Sequence, residues 1–363
     1  MNYLPFIAAR RAVFLLTLAV ILWGCGEEMQ ESLKPTPAAV GKINQLVVIA
    51  DQGAWEGPVG DTINFYYSGA FPILPQPEPL LDLSHFTPQQ LEADRLRKEL
   101  RTYLFVASLD DEDSPATRLM LRDLGEERIR RAVENGNFAP IAGRDKWASG
   151  QLLIYQFANS QEELIQLLKK NFPAILNEIN KADSEKIEAT IYLDGESRQL
   201  NEAVQQEMGI RLRVPNEYQR APIDAEEGVI WLRKETPKIS SNILIHKVKY
   251  TDQEQLSREG LKAIRDALGK YISSASTNSF MRVNAEDLPL LIDETTVDGH
   301  YALEGRGIWE MVNDFMGGSF ISYLILDTES NELVFLDGFV YAPGEDKRNA
   351  MQYLDFILNT VEI

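Results

Sequence analysis

Apolar positions change their spacing repeatedly along this chain, and each change predicts an element. Ile43 to Ala50 (INQLVVIA) is a continuous apolar run, which predicts a buried strand ended by Asp51-Gln52-Gly53. Asp61 is placed to cap a short helix through Tyr67, with Ile63, Tyr66 and Tyr67 on its apolar side. Leu74-Pro75-Gln76-Pro77-Glu78-Pro79 follows. Its alternating prolines remove backbone donors and favour polyproline II geometry, so it is stiff and is not a central strand. It reads as a crossover that sets Leu80 to Leu83 beside the sheet, or as a rigid rim around a groove. Thr87-Pro88 starts a helix to about Leu100, with Pro at the first helical position. Tyr103 to Leu109 reads as a strand, Pro115 to Glu134 as a helix ended by Asn135-Gly136, and Gln151 to Phe157 as a strand. Gln161 to about Lys181 is amphipathic, with a kink expected at Pro173. A further helix, Arg198 to Met208, stops at Gly209, and Ile210 to Val214 reads as a strand.

The pattern changes after Pro215. Gly228 to Arg233 and Ile243 to Tyr250 predict two strands, and Gln253 to Ser273 a helix with Leu256, Leu261, Ile264, Leu268 and Ile272 on one face. Ser274 to Leu288 reads as a loop. Four strands then follow: Tyr301 to Glu304, Ile308 to Phe315, Phe320 to Asp327 and Leu333 to Tyr341. Gly317-Gly318 is the kind of pair that makes a tight turn with positive φ. A helix from Asp346 to Asn359 closes the chain as given. The expectation is α+β in two domains: a mixed α/β layer over 43–214 and an antiparallel sheet with packed helices over 215–363. In element order the second half is similar to the PsbP/Mog1-like α-β-α fold, a likeness that carries no chemistry.

Composition adds limits. The chain has 363 residues, 44% of them hydrophobic and 25% charged, values of a folding globular sequence long enough for two cores. The formal net charge of −19 sets nucleic acid aside, because such a surface repels phosphate backbones. The same charge resists anionic lipid headgroups, so a membrane contact would come from an anchor rather than from a basic face.

The anchor is legible at the other end. Arg10 and Arg11 precede the apolar run Ala12 to Leu22 (AVFLLTLAVIL), which is short of the ~20 residues a spanning helix needs. A cleaved export signal over 1–24 fits better. Leu22-Trp23-Gly24-Cys25 resembles a bacterial lipobox, with bulky Trp23 where a small residue is usual. Cys25 is the one cysteine of the chain, which leaves no internal disulfide and no thiolate cluster. The resemblance implies that Cys25 receives lipid, palmitate included, and becomes the first residue of the mature protein. Residues 25–42, with Pro35 and Pro37, read as a polar tether. Gly26 stands at the second position, where Asp marks inner-membrane retention in many lipoproteins, so the outer membrane is the expected destination. The acidic Glu27 and Glu28 resemble surface-export signals, which leaves periplasmic and cell-surface faces both open.

Seven stretches together resemble an uncharacterised family of Bacteroidota envelope lipoproteins. They are Glu56 to Asp61 (EGPVGD), Leu74 to Pro79 (LPQPEP), Arg144 to Ala148 (RDKWA), Trp231 to Pro237 (WLRKETP), Arg306 to Glu310 (RGIWE), Asp314 to Gly318 (DFMGG) and Phe339 to Asn349 (FVYAPGEDKRN). The likeness implies location and architecture, and brings no catalytic residues.

Recognisable catalytic patterns are sparse. His85, His246 and His300 lack metal-ligand spacing, and no nucleophile elbow or phosphate-binding glycine loop occurs. Gly305-Arg306-Gly307 lacks the third glycine of a dinucleotide fingerprint. Asp110 to Asp113 reads as a solvated loop rather than a calcium loop. No cofactor and no metal is expected. Glu304, Glu310 and Asp314 lie in the meander, where a carboxylate pair would be needed for glycoside hydrolysis. Trp231, Trp309, Phe315, Phe320 and Tyr323 could grip a peptide or a sugar, but the alternation of Trp309, Met311 and Phe315 reads as one buried face. The expected role is a non-catalytic binding or assembly factor of the envelope, with a protein or glycan partner. A hydrolase of envelope or glycan substrates, acting through paired carboxylates, is the alternative.

Overall fold

The computed structural model describes residues 36–223 and 228–363. In the first unit, β1 (Gln45–Ile49) leads through α1 (Gln52–Trp55) and α2 (Pro58–Tyr67) to β2 (Asp82–Phe86). Then come α3 (Pro88–Ala93), α4 (Arg95–Lys98), β3 (Thr102–Ser108), α5 (Pro115–Leu124), α6 (Glu126–Glu134), β4 (Ile141–Arg144), β5 (Leu152–Ala158) and α7 (Gln161–Ile191). The strand order is β2-β1-β3-β5-β4, parallel except for the edge strand β4. β3 and β5 are apolar on both faces, as a sheet covered by helices on both sides requires. Leu46, Val48, Leu104 and Ile154 pack under Ile63 of α2 and Leu164 and Leu168 of α7. Val47, Phe105 and Tyr155 face Leu119 and Met120 of α5 and Ile129 of α6.

Several helix ends depart from expectation for local reasons. α2 begins at Pro58 with Gly57 as its N-cap, so Asp61 lies in its first turn instead of capping it. The helix expected from Thr87 breaks at Asp94, and the one from Pro115 breaks at Gly125, whose φ is 82°. α7 runs unbroken through Pro173 and ten residues beyond Lys181. Its last turns carry Ile187 and Ile191 into the core of the second unit, and that burial offsets the amide hydrogen bond lost at proline.

The second unit begins with α8 (Arg198–Met208), followed by β6 (Gln219–Arg220), β7 (Val229–Glu235), β8 (Ser240–Lys249), α9 (Arg258–Gly269), β9 (Phe280–Asn284), β10 (Leu291–Val297), β11 (His300–Val312), β12 (Gly317–Asp327), β13 (Glu332–Tyr341) and α10 (Arg348–Leu358). The antiparallel order is β10-β11-β12-β13-β8-β7-β6, with β9 also paired to β11. α9 covers one face over Leu244, Phe320 and Phe335. α8 and α10 cover the other over Ile243, Ile321 and Val340. The α+β architecture in two units is therefore as expected.

The expected boundary after Val214 cuts through packed structure. Leu200, Val204 and Met208 of α8 pack into the second sheet's core, together with Ile210, Leu212 and Val214. The segment from Ile210 is not a strand of either sheet and makes an isolated bridge from Arg211 to Glu362. Part of the loop expected from Ser274 is strand β9, and β10 follows it along the outer side of β11. The two strands expected around Gly305-Arg306-Gly307 are one. These glycines stay in the ladder because a side chain would collide: a Cβ on Gly307 would lie 2.6 Å from the Phe320 ring. Gly317-Gly318 is likewise no turn. Both residues open β12, and a Cβ on Gly318 would meet the Val340 carbonyl oxygen at 2.0 Å. The turn lies earlier, at Asn313 with φ 63°.

α10 joins the units at its amino end. The buried Glu78 carboxylate accepts the backbone N–H groups of Lys347 (2.6 Å) and Arg348 (3.0 Å), two of the donors a helix start leaves open. Arg348 reaches back to Asp82 at 2.7 Å. Asn44 exchanges hydrogen bonds with Gln352 at 2.7 and 2.9 Å. The Pro-rich stretch is thus a stiff connection whose glutamate clamps a helix of the other unit.

Candidate functional site

The same clamp sets one bank of a cleft of about 510 Å³. Pro75 and Gln76 come from the Pro-rich stretch, and Asn284 and Asp287 from the end of β9 and its loop. Trp309 and Glu310 come from β11, Asp314 to Gly318 from the β11–β12 hairpin, and Tyr341 to Gly344 with Lys347 from the approach to α10. Four of the stretches that carry the family resemblance therefore meet here, although up to 272 positions separate Pro75 from Lys347.

The floor is rigid. Trp309 is buried, donates its indole N–H to the Val340 carbonyl at 3.2 Å and packs edge-on against Phe339. Lys347 is buried and donates to Gln76 Oε1 and to the Glu345 carbonyl, each at 2.8 Å. The hairpin turn is tied to the loop before β9. Asn313 donates to the Asn278 carbonyl at 3.0 Å, and Asp314 accepts from the Ser276 hydroxyl at 3.0 Å and the Phe315 amide at 2.7 Å. On that fixed tip Phe315 is fully exposed, at 108% of its reference area.

This corrects the expectation that Phe315 shares a buried face with Trp309 and Met311. Those two are buried, but the ladder alternation stops at Val312, and the Asn313-Asp314 turn swings Phe315 outward. Asn-Asp is a turn signal, and it was the one local cue that could have placed Phe315 outside the core. Phe320 and Tyr323 are buried, and Trp231 is half-buried with its indole on Asn242 at 3.0 Å.

Hydrogen bonds from Ser274, the Phe315 amide and Ser276 hold the Asp314 carboxyl below the usual carboxylate range. A depressed folded pKa contributes stability above the ordinary value, and that contribution is lost as pH falls through the lower one. Acidification below about pH 4 is therefore expected to loosen the hairpin. A fluorine label on Phe315, followed by ¹⁹F NMR, should broaden or shift there in the native chain. Asp314→Asn should show the loosened signal already at pH 7 and little further change; identical titrations of the two chains would refute the tether.

Other sequence candidates are placed elsewhere. His85 stacks on Trp55 with centroids 4.7 Å apart, in the first sheet. His246 and His300 each donate a ring N–H, to the Gly228 and Leu326 carbonyls, on separate strands of the second sheet. The structure does not bring the three together. Asp110 to Asp113 lie exposed at the carboxyl end of β3. Glu304 does meet another carboxylate, Asp355 of α10, but through Arg306, which donates to both. Tyr323 donates to Asp355 at 2.7 Å, and burial, reinforced by Asp355 and Glu304, pushes its hydroxyl pKa up. The group is an ion-pair network on the wall of a second groove of about 480 Å³, between α7 and α10. Among the described residues no group of three or more His, Cys, Asp or Glu is placed to hold a metal ion. Among them, too, no helix is long and apolar enough to cross a membrane. Cys25, the signal segment and most of the tether lie outside the described residues.

Comparison with known families divides the chain in two. Residues 39–192 match a family model described as a domain of unknown function (DUF8532). Residues 197–360 match another, described as a domain of unknown function (DUF4837). No curated protein matches the chain. The chain is thereby similar to uncharacterised families. The gap between the matches falls in the loop joining α7 to α8.

Proposed function

We propose that this chain is an outer-membrane-anchored lipoprotein of the bacterial envelope, of the Bacteroidota kind, that acts as a non-catalytic binding or assembly factor. Lipid on Cys25 holds it to the bilayer, and several acyl chains make such anchoring durable, at ~0.8 kcal/mol per buried methylene. The single observation that carries the binding role is Phe315, wholly exposed on a hairpin whose turn is tied to the loop before β9. An aromatic ring held in water at a preorganised position beside a cleft is offered to a partner at little ordering cost. The Glu304–Arg306–Asp355 network favours this reading over hydrolysis, since both carboxylates are engaged by one guanidinium.

The anchor is tested by Cys25→Ala. The substitution is expected to move the protein from the membrane to the soluble fraction and to abolish labelling by a fatty-acid analogue. Unchanged fractionation and labelling would sink the lipoprotein reading.

A further inference from the structure

We propose that the cleft beneath Phe315 is a docking site for a short cationic segment of a partner protein, an inference that rests on the reading of the chain as a binding factor. Its volume of about 510 Å³ suits a few residues of chain rather than a whole domain face. Its apolar anchors are Phe315, Met316 and Tyr341, of which Met316 and Tyr341 are half-buried. Its charge is one-sided. Asp287, Glu310 and Asp314 line it against a single ammonium, that of Lys347. Lys347 is buried and turned to Gln76 and the Glu345 carbonyl, so it offers little to a ligand. Arg282 pairs with Glu310. Asp287 bonds Asn284, and Asp314 bonds Ser276 and its neighbouring amide; neither is in an ion pair among the described residues.

Two half-compensated carboxylates beside an exposed aromatic ring make a recognition pattern. The ring takes an aliphatic or aromatic side chain, and the carboxylates take the lysine or arginine next to it. An acidic segment would meet like charge here and over the whole surface, whose formal net charge is −19. Nucleic acid is excluded by the same argument. A bilayer is the other surface that an exposed phenylalanine could enter, and the cleft speaks against it. Carboxylates lining the cavity next to the ring would have to leave water together with it.

The probe is a fluorescent heptapeptide, Lys-Leu-Lys-Phe-Lys-Leu-Lys, and its control carries Glu for every Lys. Binding to the full chain bearing Cys25→Ala is followed by anisotropy at low and high salt. The Lys peptide is expected to bind and the Glu peptide not to. Phe315→Ala should weaken binding tenfold or more, as loss of an aromatic anchor does. Asp287→Asn should weaken it severalfold and flatten its salt dependence, while Phe65→Ala, at an exposed ring elsewhere, should leave it unchanged. Phe315 and Asp287 are surface positions, so circular dichroism should show both variants folded. Equal affinity of Phe315→Ala and the parent overturns the site. Phe315-dependent binding of the Glu peptide overturns the cationic assignment but keeps the binding role. Absence of binding by both peptides, with Phe315-dependent binding to phosphatidylcholine vesicles, overturns the inference in favour of a lipid surface.

Discussion

Arg265→Met is expected to destabilise the second unit by about 3–5 kcal/mol, the typical cost of breaking a buried ion pair from one side. Arg265 on α9 and Asp337 on β13 have fully buried side chains, and Nε meets Oδ1 at 3.0 Å. Ser322 donates to the same oxygen at 2.5 Å, and the guanidinium lies 3.7 Å over the Phe320 ring. The pair is not fully satisfied: Arg265 Nη1 and Asp337 Oδ2 have no protein partner. Methionine fills much of the arginine's volume but leaves the carboxylate uncompensated in a core, and that desolvation dominates the loss. The double variant Arg265→Met/Asp337→Leu removes both charges and is expected to recover most of it, short of what Ser322 loses with its acceptor. Urea unfolding of the single and double variants, with unchanged slopes, measures this. A single-variant loss under about 1 kcal/mol, or a double variant no better than the single, would show that the pair is not compensated as described.

Both members of that pair were legible as anomalies. Arg265 stands four residues after Leu261 and three before Leu268, on the face of the helix that the apolar spacing assigns to the core. Asp337 alternates with Phe335 and Phe339 in the same way. A charge on a predicted apolar face of each of two elements is the local signature of a buried pair, although the partnership itself is not local. The strands and helices were read for the same reason: where burial is one-sided, the period shows it. The misreadings share a different cause. Gly305, Gly307, Gly317 and Gly318 read as punctuation because glycine usually marks a turn, but here each makes room inside a sheet for Leu261, Phe320, or a neighbouring carbonyl. β10 carries no strand signal because its edge position leaves LIDETTV largely exposed and without a clean alternation. The cleft could not be read at all, since its banks come together only through Glu78, 269 positions from Lys347.

Glu78 is also where the two units are most open to a test. Glu78→Ala removes the acceptor of two buried backbone N–H groups at the start of α10. Each unsatisfied donor costs about 1–3 kcal/mol, and the lost carboxylate at a helix amino end adds up to ~1. Together these reach about 2–7 kcal/mol, and water entering beside exposed Gln76 and Pro77 puts the expected loss in the lower part of that range, about 2–4 kcal/mol. Its distribution is more telling than its size. The Arg348–Asp82 and Asn44–Gln352 contacts remain, but the clamp that couples the units is gone, so one unfolding transition should separate towards two. Glu78→Gln keeps one acceptor oxygen and should fall between. Hydrogen exchange locates the effect: protection of the Lys347 and Arg348 amides should drop in Glu78→Ala while that of β12 and β13 is kept. Because the clamp sets one bank of the cleft, the same variant should also weaken the Lys-peptide complex without touching Phe315. Unchanged exchange at those two amides would mean that α10 is held by its apolar face alone, through Leu354, Ile357 and Leu358, and that the Pro-rich stretch is no more than a connection.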